Sequence, residues 1–169
     1  MAFDLEMELL PASKKMTEQV ALVCLTNAKL LDQLITIALS DEKVLSWHAC
    51  WVIERIARME KNKLTPYVDL LIQTLPKLKH PSQIRPILFT LTVVEIDCEN
   101  NLDLLDYCIE RLKNERYPYN EKARALMILE KYVTFEPELK GELFPIVESV
   151  LPFTEKPHFR KHLNRFLTL

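Results

Sequence analysis

The residues best suited to chemistry are the histidines, two of which have a spacing that metal-binding helices use. His158 and His162 are four residues apart, so one face of a helix would carry both rings. The glutamate that a metalloprotease helix places between its histidines is missing, and Arg160 and Lys161 would repel a cation. We therefore predict no metal site. Because no sequence feature brings a Ser-His-Asp grouping together, we also predict no cofactor and no enzymatic activity.

The cysteines are a second possible source of chemistry, but their spacing argues against it. No CxxC pair occurs, and each lies in an apolar or helical context: Cys24, Cys50, Cys98 and Cys108. This pattern is typical of reduced thiols in the core of a cytoplasmic protein. The first ten residues carry acids where a secretion signal carries bases, and no apolar run approaches membrane-spanning length. We therefore expect a cytoplasmic location and no membrane partner.

The elements that must position these residues are helices, as the use of glycine indicates. The chain has a single glycine, Gly141, and ten prolines in 169 residues. Hairpin turns, phosphate-binding loops and dinucleotide fingerprints need glycine for positive φ or for close backbone approach. No segment alternates with a period of two. The sequence predicts an all-α fold.

Apolar stripes and capping residues place the helices. Between Lys29 and Leu39 the apolar residues recur every three or four positions, which indicates one buried face. Capping chemistry predicts helix starts at five polar residues: Ser46, Thr65, Ser82, Asn101 and Asn120.

A repeat becomes visible when the second helix of each predicted pair is aligned. His48, Arg85, Arg124 and Lys161 then share one column, with spacings of 37, 39 and 37 residues. A period near 38 with two helices per unit lies in the HEAT and armadillo range. One helix pair cannot bury its own apolar face, so such units stack into an α-α superhelix. We expect a single domain over residues 1–169, with about four helix pairs behind an N-terminal helix.

This basic column is the most suggestive constellation in the chain. Second helices line the concave face of HEAT stacks, so the column would run along a groove and hold phosphates or an acidic peptide. The alternative is ordinary surface or structural ion pairs, since the same helices carry acids at Glu54, Glu95, Glu121 and Glu130.

Trp47 and Trp51 are the other candidates for a binding site. They are four residues apart and therefore lie on one face of a helix. Two interpretations stay open. The rings form a platform for a base, a peptide or a methylated cation, or they wedge between adjacent repeats as part of the core.

The segments SWHACWVIERIARM and PYVDLLIQTLPKL resemble a family of small HEAT-like proteins from Bacteroidota, which has no characterised function. The matching residues are Ser46, Trp47, Ala49, Trp51, Ile53, Glu54, Pro66, Tyr67, Leu75 and Pro76. Members of that family sometimes carry the label adenylosuccinate lyase. The sequence here lacks the Met-Pro-x-Lys run of the lyase signature loop, so we reject that activity for it.

Together these features predict a non-catalytic module that presents a concave helical surface to an unidentified protein or peptide. The alternative is a nucleic-acid binder that uses Arg85, Lys122, Arg124, Lys161 and the two tryptophans, although the formal charge of −2 provides no general attraction to phosphates. A third option is end-to-end self-association, because Thr154–Leu169 carries +3 and the remainder −5. The sequence leaves the oligomeric state open.

Overall fold

The computed structural model describes residues 3–169, which fold into α-helices joined by short turns. Within this range there are ten α-helices, and they occupy the following segments: α1 Leu5–Leu9, α2 Lys14–Thr26, α3 Ala28–Ala38, α4 Lys43–Glu60, α5 Val68–Thr74, α6 Pro81–Val93, α7 Leu102–Lys113, α8 Tyr119–Phe135, α9 Lys140–Val150 and α10 Pro157–Phe166. Short 3-10 segments cover Lys61–Tyr67, Leu75–Lys77, Pro137–Leu139 and Leu151–Phe153. None of the described helices is both long and apolar enough to cross a lipid bilayer. The predicted all-α fold is confirmed.

The chain divides into two compact units. Unit 1 is Met1–Glu95, described from Phe3 onward, and unit 2 is Ile96–Leu169. In unit 1, α4 is the central helix and packs against α2, α3 and α6. In unit 2, α8 packs against α7 and α10, while α9 contacts α7.

Each unit has its own set of fully buried apolar side chains. Unit 1 buries aliphatic residues almost exclusively, among them Leu34, Ile53, Ile56, Leu71 and Ile87. Unit 2 relies more on aromatic rings, and its largest buried side chains are Tyr132, Phe159 and Phe166. The Tyr132 hydroxyl is satisfied, because it donates a hydrogen bond to the Asn101 carbonyl at 2.5 Å.

The predicted repeat matches the order of the helices. The four helices aligned in the sequence are α4, α6, α8 and α10, and each follows a partner helix in the chain. Two helices, rather than the single one expected, precede the first pair. α1 is capped by Asp4, whose side chain accepts a hydrogen bond from the Met7 backbone N–H, and α2 is capped in the same way by Ser13. Leu5 and Leu9 of α1 are buried.

Several predicted helix starts were wrong for local reasons. α4 begins at Lys43, and Ser46 lies inside it, buried, with its hydroxyl donating to the Lys43 carbonyl at 3.2 Å. α6 begins at Pro81, because the His80 ring accepts the hydrogen bond of the Ser82 N–H that a cap must satisfy.

The remaining predicted starts gave a mixed result. Thr65 lies within a 3-10 segment and not at the start of an α-helix. Asn120 lies inside α8, whose N-cap is Pro118. Asn101 is the N-cap of α7, as predicted.

The four cysteines are buried and unpaired, as predicted. Burial raises the pKa of the Cys24 thiol to about 11, and it also raises the pKa values of Cys50 and Cys108. Thiols with such pKa values stay protonated near neutral pH and are poor nucleophiles.

Candidate interaction surface

The outward side of α4 carries the tryptophans together with three charged residues. Trp47, Trp51, Glu54, Arg55 and Arg58 lie within one helical stripe, and none of them is fully buried. The opposite side of α4 supplies the core residues of unit 1. We call this set of five residues the α4 surface.

Trp47 forms one wall of a cleft at the beginning of α4 and α6. Its ring stacks on the His80 ring with centroids 3.8 Å apart and an interplanar angle of 14°. The cleft has a volume of about 600 Å³ and is lined by Asp41, Lys43, Ser46, Trp47, Lys77, Leu78, Lys79, His80 and Gln83. Three lysines against one aspartate give its rim a positive character. The stack holds the Trp47 ring, which is half-buried.

Trp51 is the more exposed tryptophan and faces a second cleft. It is 38% exposed, a large fraction for so apolar a side chain. The cleft has a volume of about 420 Å³ and is lined by Ala12, Ser13, Lys14, Thr17, Trp51, Glu54, Arg55 and Arg58. The core interpretation therefore does not describe Trp51, whereas half-buried Trp47 is anchored by stacking.

The arginines of the α4 surface are already paired with acids. Arg55 bonds to Glu18 of α2 at 2.5 Å, and Arg58 bonds to Glu54 at 2.7 Å. Arg58 also lies over the Phe89 ring of α6, 3.9 Å from its centroid. These contacts hold the charged groups in place beside the tryptophans and cancel much of their net charge.

His48 differs from the role that its place in the basic column predicted. The residue is only 6% exposed, and its Nδ1 lies 2.6 Å from the Leu9 carbonyl oxygen. Its ring also packs against Trp51, with centroids 4.9 Å apart. His48 therefore does not present a basic group to a partner. Its contacts instead tie α4 to the end of α1 and support the Trp51 ring from behind.

The comparison with known families decides what this helical arrangement is. A family model described as a HEAT repeat domain matches residues 7–167, nearly the whole chain. The chain belongs to the HEAT repeat domain family. Searches among curated proteins and among solved structures gave no match. The resemblance to HEAT-like proteins is thus confirmed at the level of the family.

The other members of the basic column lie on the second helices of this HEAT repeat domain. In unit 1, Arg85 of α6 is half-buried. In unit 2, Arg124 of α8 is half-buried and Lys161 of α10 is exposed. Their surface role stays a prediction.

Three of the four acids expected to neutralise the column have other cationic partners: Glu54 bonds to Arg58, as described above, and the other two lie in unit 2. Glu121 bonds to Arg111 at 2.8 Å, and both side chains are buried. Glu130 bonds to Arg165 at 2.6 Å.

The His158–His162 pair lies on α10 as the spacing predicted. The two Nε2 atoms are 3.3 Å apart. Burial lowers the pKa of His162, and positive neighbours at His158, Arg165 and Lys161 lower it further. Across residues 3–169 no three His, Cys, Asp or Glu side chains are arranged to hold a metal ion.

Sequence reasoning missed the residues that complete the α4 surface. Arg55 and Arg58 lie four and seven positions after Trp51, so the helical period alone places them beside it. His80 is the N-cap of α6 and Phe89 lies within that helix, and no local pattern indicates that these two side chains meet α4. The positions of Arg55 and Arg58 could therefore be predicted from the sequence, whereas the contacts of His80 and Phe89 depend on tertiary packing.

Proposed function

We propose that this HEAT repeat domain is a non-catalytic interaction module whose α4 surface binds a protein or peptide partner. The observation that carries the proposal is the 38% exposure of Trp51 next to an open cleft. Tryptophan is among the residues that most often dominate the binding energy of protein interfaces. An indole of this exposure retains apolar area that a partner can cover.

The surroundings of Trp51 favour a preformed site. The His48 ring packs against the Trp51 ring and is itself held by the Leu9 carbonyl, and the ion pairs of Arg55 and Arg58 hold the neighbouring side chains. A partner then loses little side-chain entropy on binding, because these groups are already ordered. The same ion pairs provide hydrogen-bonding groups at the rim of an interface.

The pairing of charges favours a protein over a nucleic acid. Arg55 and Arg58 already contact carboxylates, so a phosphate backbone would have to displace Glu18 and Glu54. Nucleic-acid surfaces need several cations free to neutralise phosphates. The lysines around Trp47, which are Lys43, Lys77 and Lys79, suit acidic side chains at the edge of a peptide.

The proposal also includes the remaining candidate residues, and we expect each of them to contribute less binding energy than Trp51. Arg85, Arg124 and Lys161 occupy equivalent positions of successive second helices, which in HEAT stacks form the binding face. Trp47 would contribute the part of its side chain that lines the cleft. The buried, unpaired cysteines fit a reducing compartment such as the cytoplasm.

The test is a pull-down from a lysate of the organism that encodes the chain, followed by measurement of the affinity for the purified partner. Three baits are compared: wild type, Trp51→Ala and Phe135→Ala. Phe135 is a matched control, because it is an aromatic residue of α8 with 55% exposure outside the clefts described above. Half of each lysate is treated with nuclease.

We expect one discrete protein that nuclease does not remove. Trp51→Ala should raise its Kd by about 30-fold or more, as for a central interface tryptophan, and Phe135→Ala by less than about 2-fold. A Kd unchanged by Trp51→Ala would exclude the α4 surface. Recovery of nucleic acid alone, lost from the nuclease-treated half of the lysate, would replace the proposal with the nucleic-acid alternative.

A further inference from the structure

Unit 2 contains a cleft that the proposed function does not use. It has a volume of about 680 Å³, and its lining residues come from the end of α7, the start of α8 and the turn after α9: Lys113, Glu115, Arg116, Tyr117, Pro118, Tyr119, Lys122, Ser149, Val150, Phe153, Thr154 and Glu155. We call it the α8 cleft. This volume suits an organic ligand and far exceeds what a single inorganic anion fills.

Lys122 is the unusual residue of the α8 cleft. It is only 5% exposed, whereas lysine is almost never buried without a partner. Within residues 3–169 its ammonium group makes no hydrogen bond or ion pair, and the charge that acts on it is the Glu115 carboxylate. Burial lowers the pKa of Lys122, and the negative charge of Glu115 opposes that shift in part. A desolvated ammonium of this kind gains stability when an anion enters the cleft.

The start of α8 adds a second feature that attracts anions. α8 has 17 residues, and its N-cap is Pro118, whose side chain makes no capping hydrogen bond. The Asn120 side chain accepts a hydrogen bond from the Glu121 N–H at 3.0 Å, so the N–H groups of Tyr119 and Asn120 are the ones that remain at the helix end. Unsatisfied N–H groups and the helix dipole make such an end favourable for negative charge. Pro118, Tyr119 and Lys122 all line the cleft, so the helix end and the Lys122 side chain border the same space.

Aromatic residues line the cleft, and two of their rings, Tyr117 and Tyr119, are held in place by contacts within unit 2. The Arg111 guanidinium lies 3.8 Å from the centroid of the Tyr117 ring, and the Tyr117 hydroxyl donates to Glu110 at 3.2 Å. The Tyr119 ring packs against Phe159 with centroids 5.5 Å apart. Phe153 is 78% exposed at the rim, the largest exposure among the large apolar side chains described. A ligand with a flat apolar group would cover these rings.

We propose that the α8 cleft binds an aromatic phosphate monoester, with the phosphate at Lys122 and the N-terminus of α8 and the aromatic group against Tyr117, Tyr119 and Phe153. Two further cations, Lys113 and Arg116, lie on the rim and suit the double negative charge of a phosphate monoester. The ligand is either a small molecule or a phosphotyrosine side chain of a protein, since both present the same chemistry.

The experiment titrates the full-length protein with phenyl phosphate and follows backbone amide signals by NMR. Inorganic phosphate, benzoate and a phosphotyrosine peptide are titrated in parallel. The variants are Lys122→Met, which keeps the apolar stem and removes the charge, and Phe153→Ala. Lys63→Met is the control, because Lys63 is an exposed lysine of unit 1 that lines none of the clefts described above.

We expect phenyl phosphate to shift signals of residues 113–122 and 149–155. Lys122→Met should raise its Kd by about 10-fold or more, which corresponds to about 1.4 kcal/mol, and Lys63→Met by less than about 2-fold. Phe153→Ala should weaken phenyl phosphate and leave inorganic phosphate unchanged, because only the ester uses the aromatic walls. Inorganic phosphate and benzoate should each bind several times more weakly than phenyl phosphate.

Three results would overturn the assignment: no saturable binding of phenyl phosphate, equal affinity in the folded Lys122→Met variant, or benzoate that binds as tightly as phenyl phosphate. A peptide that binds about 10-fold tighter than phenyl phosphate would identify a phosphorylated protein as the source of the ligand. Equal affinities would identify a small molecule. Because Trp51 lies in unit 1 and the α8 cleft in unit 2, failure here leaves the proposed function standing, and the reverse also holds.

Discussion

The α4 surface and the α8 cleft both contain aromatic and basic side chains, but the basic groups are paired with acids only on the α4 surface. There Arg55 and Arg58 form ion pairs with carboxylates, and all four side chains are partly exposed. In the α8 cleft Lys122 is buried and makes no ion pair within the described part of the chain. The first arrangement leaves apolar area as the main source of affinity, and the second leaves an unsatisfied charge. A similar residue composition therefore predicts different ligands once burial is known.

The two units also differ in the burial of their ion pairs, and this difference gives the largest expected effect on the free energy of unfolding. The Arg111–Glu121 pair of unit 2 is buried, with side-chain exposures of 8% and 3%, whereas those of the Arg55–Glu18 pair are 35% and 45%. Arg111→Met should lower the free energy of unfolding by about 3–5 kcal/mol, because the Glu121 carboxylate stays buried without its guanidinium partner. Arg55→Met should lower it by less than about 1 kcal/mol, because water already solvates both groups. Urea denaturation of both variants measures the difference.

Arg111 also contacts the rings of Tyr107 and Tyr117, at 4.6 Å and 3.8 Å from their centroids. Arg111→Lys is therefore the useful companion variant, because it restores a charge near Glu121 without the flat guanidinium. Recovery of most of the lost stability would assign the effect to charge, and no recovery would assign it to packing. Equal losses from Arg111→Met and Arg55→Met would contradict the contrast between the two pairs.

The architecture was readable from the sequence, because its signals are local or periodic. Apolar stripes every three or four residues and a column repeating every 37 to 39 residues indicated the four helix pairs. Helix starts were less readable at Ser46 and Ser82. There the deciding hydrogen bonds are made by a hydroxyl to its own helix and by the His80 ring.

The sites depended on contacts that no local pattern encodes. His48 aligned with the basic residues of later repeats, but its ring faces the carbonyl of Leu9, 39 residues earlier in the chain. Lys122 was visible in the sequence only as one base among several. Its burial results from the folding of unit 2 around the start of α8.

A substitution at Lys122 tests whether its unpaired charge destabilises the folded protein. We expect an effect of intermediate size on the free energy of unfolding. Lys122→Met should raise the free energy of unfolding by on the order of 1 kcal/mol near neutral pH, because it removes a desolvated ammonium and keeps the apolar stem. Lys63→Met should leave stability unchanged, because Lys63 is exposed. Urea denaturation at several pH values is the measurement.

The pH dependence of this gain has a definite sign. Burial lowers the pKa of Lys122 in the folded state, while the unfolded chain keeps a value near 10.4. Between the two values the unfolded state binds more protons, so the stability of the wild type rises with pH there. The advantage of Lys122→Met should be largest below the lowered pKa and should shrink as the pH approaches about 10.4. An advantage independent of pH would mean that packing, and not charge, causes it.

The smallest expected effect comes from a substitution of Glu115, the carboxylate whose charge acts on Lys122. Its charge raises the pKa of Lys122 and opposes the effect of burial. Glu115→Gln should therefore lower the pKa of Lys122 further, as followed through the side-chain NMR signals of the lysine. The same substitution should tighten the binding of phenyl phosphate by about 2-fold, because a like charge leaves the cleft. Glu148→Gln is the control, since Glu148 is exposed on α9 and does not line the cleft. If Glu115→Gln instead weakened binding, the carboxylate would be a ligand-contacting group, and the α8 cleft would suit a molecule with a hydrogen-bond donor or a positive charge.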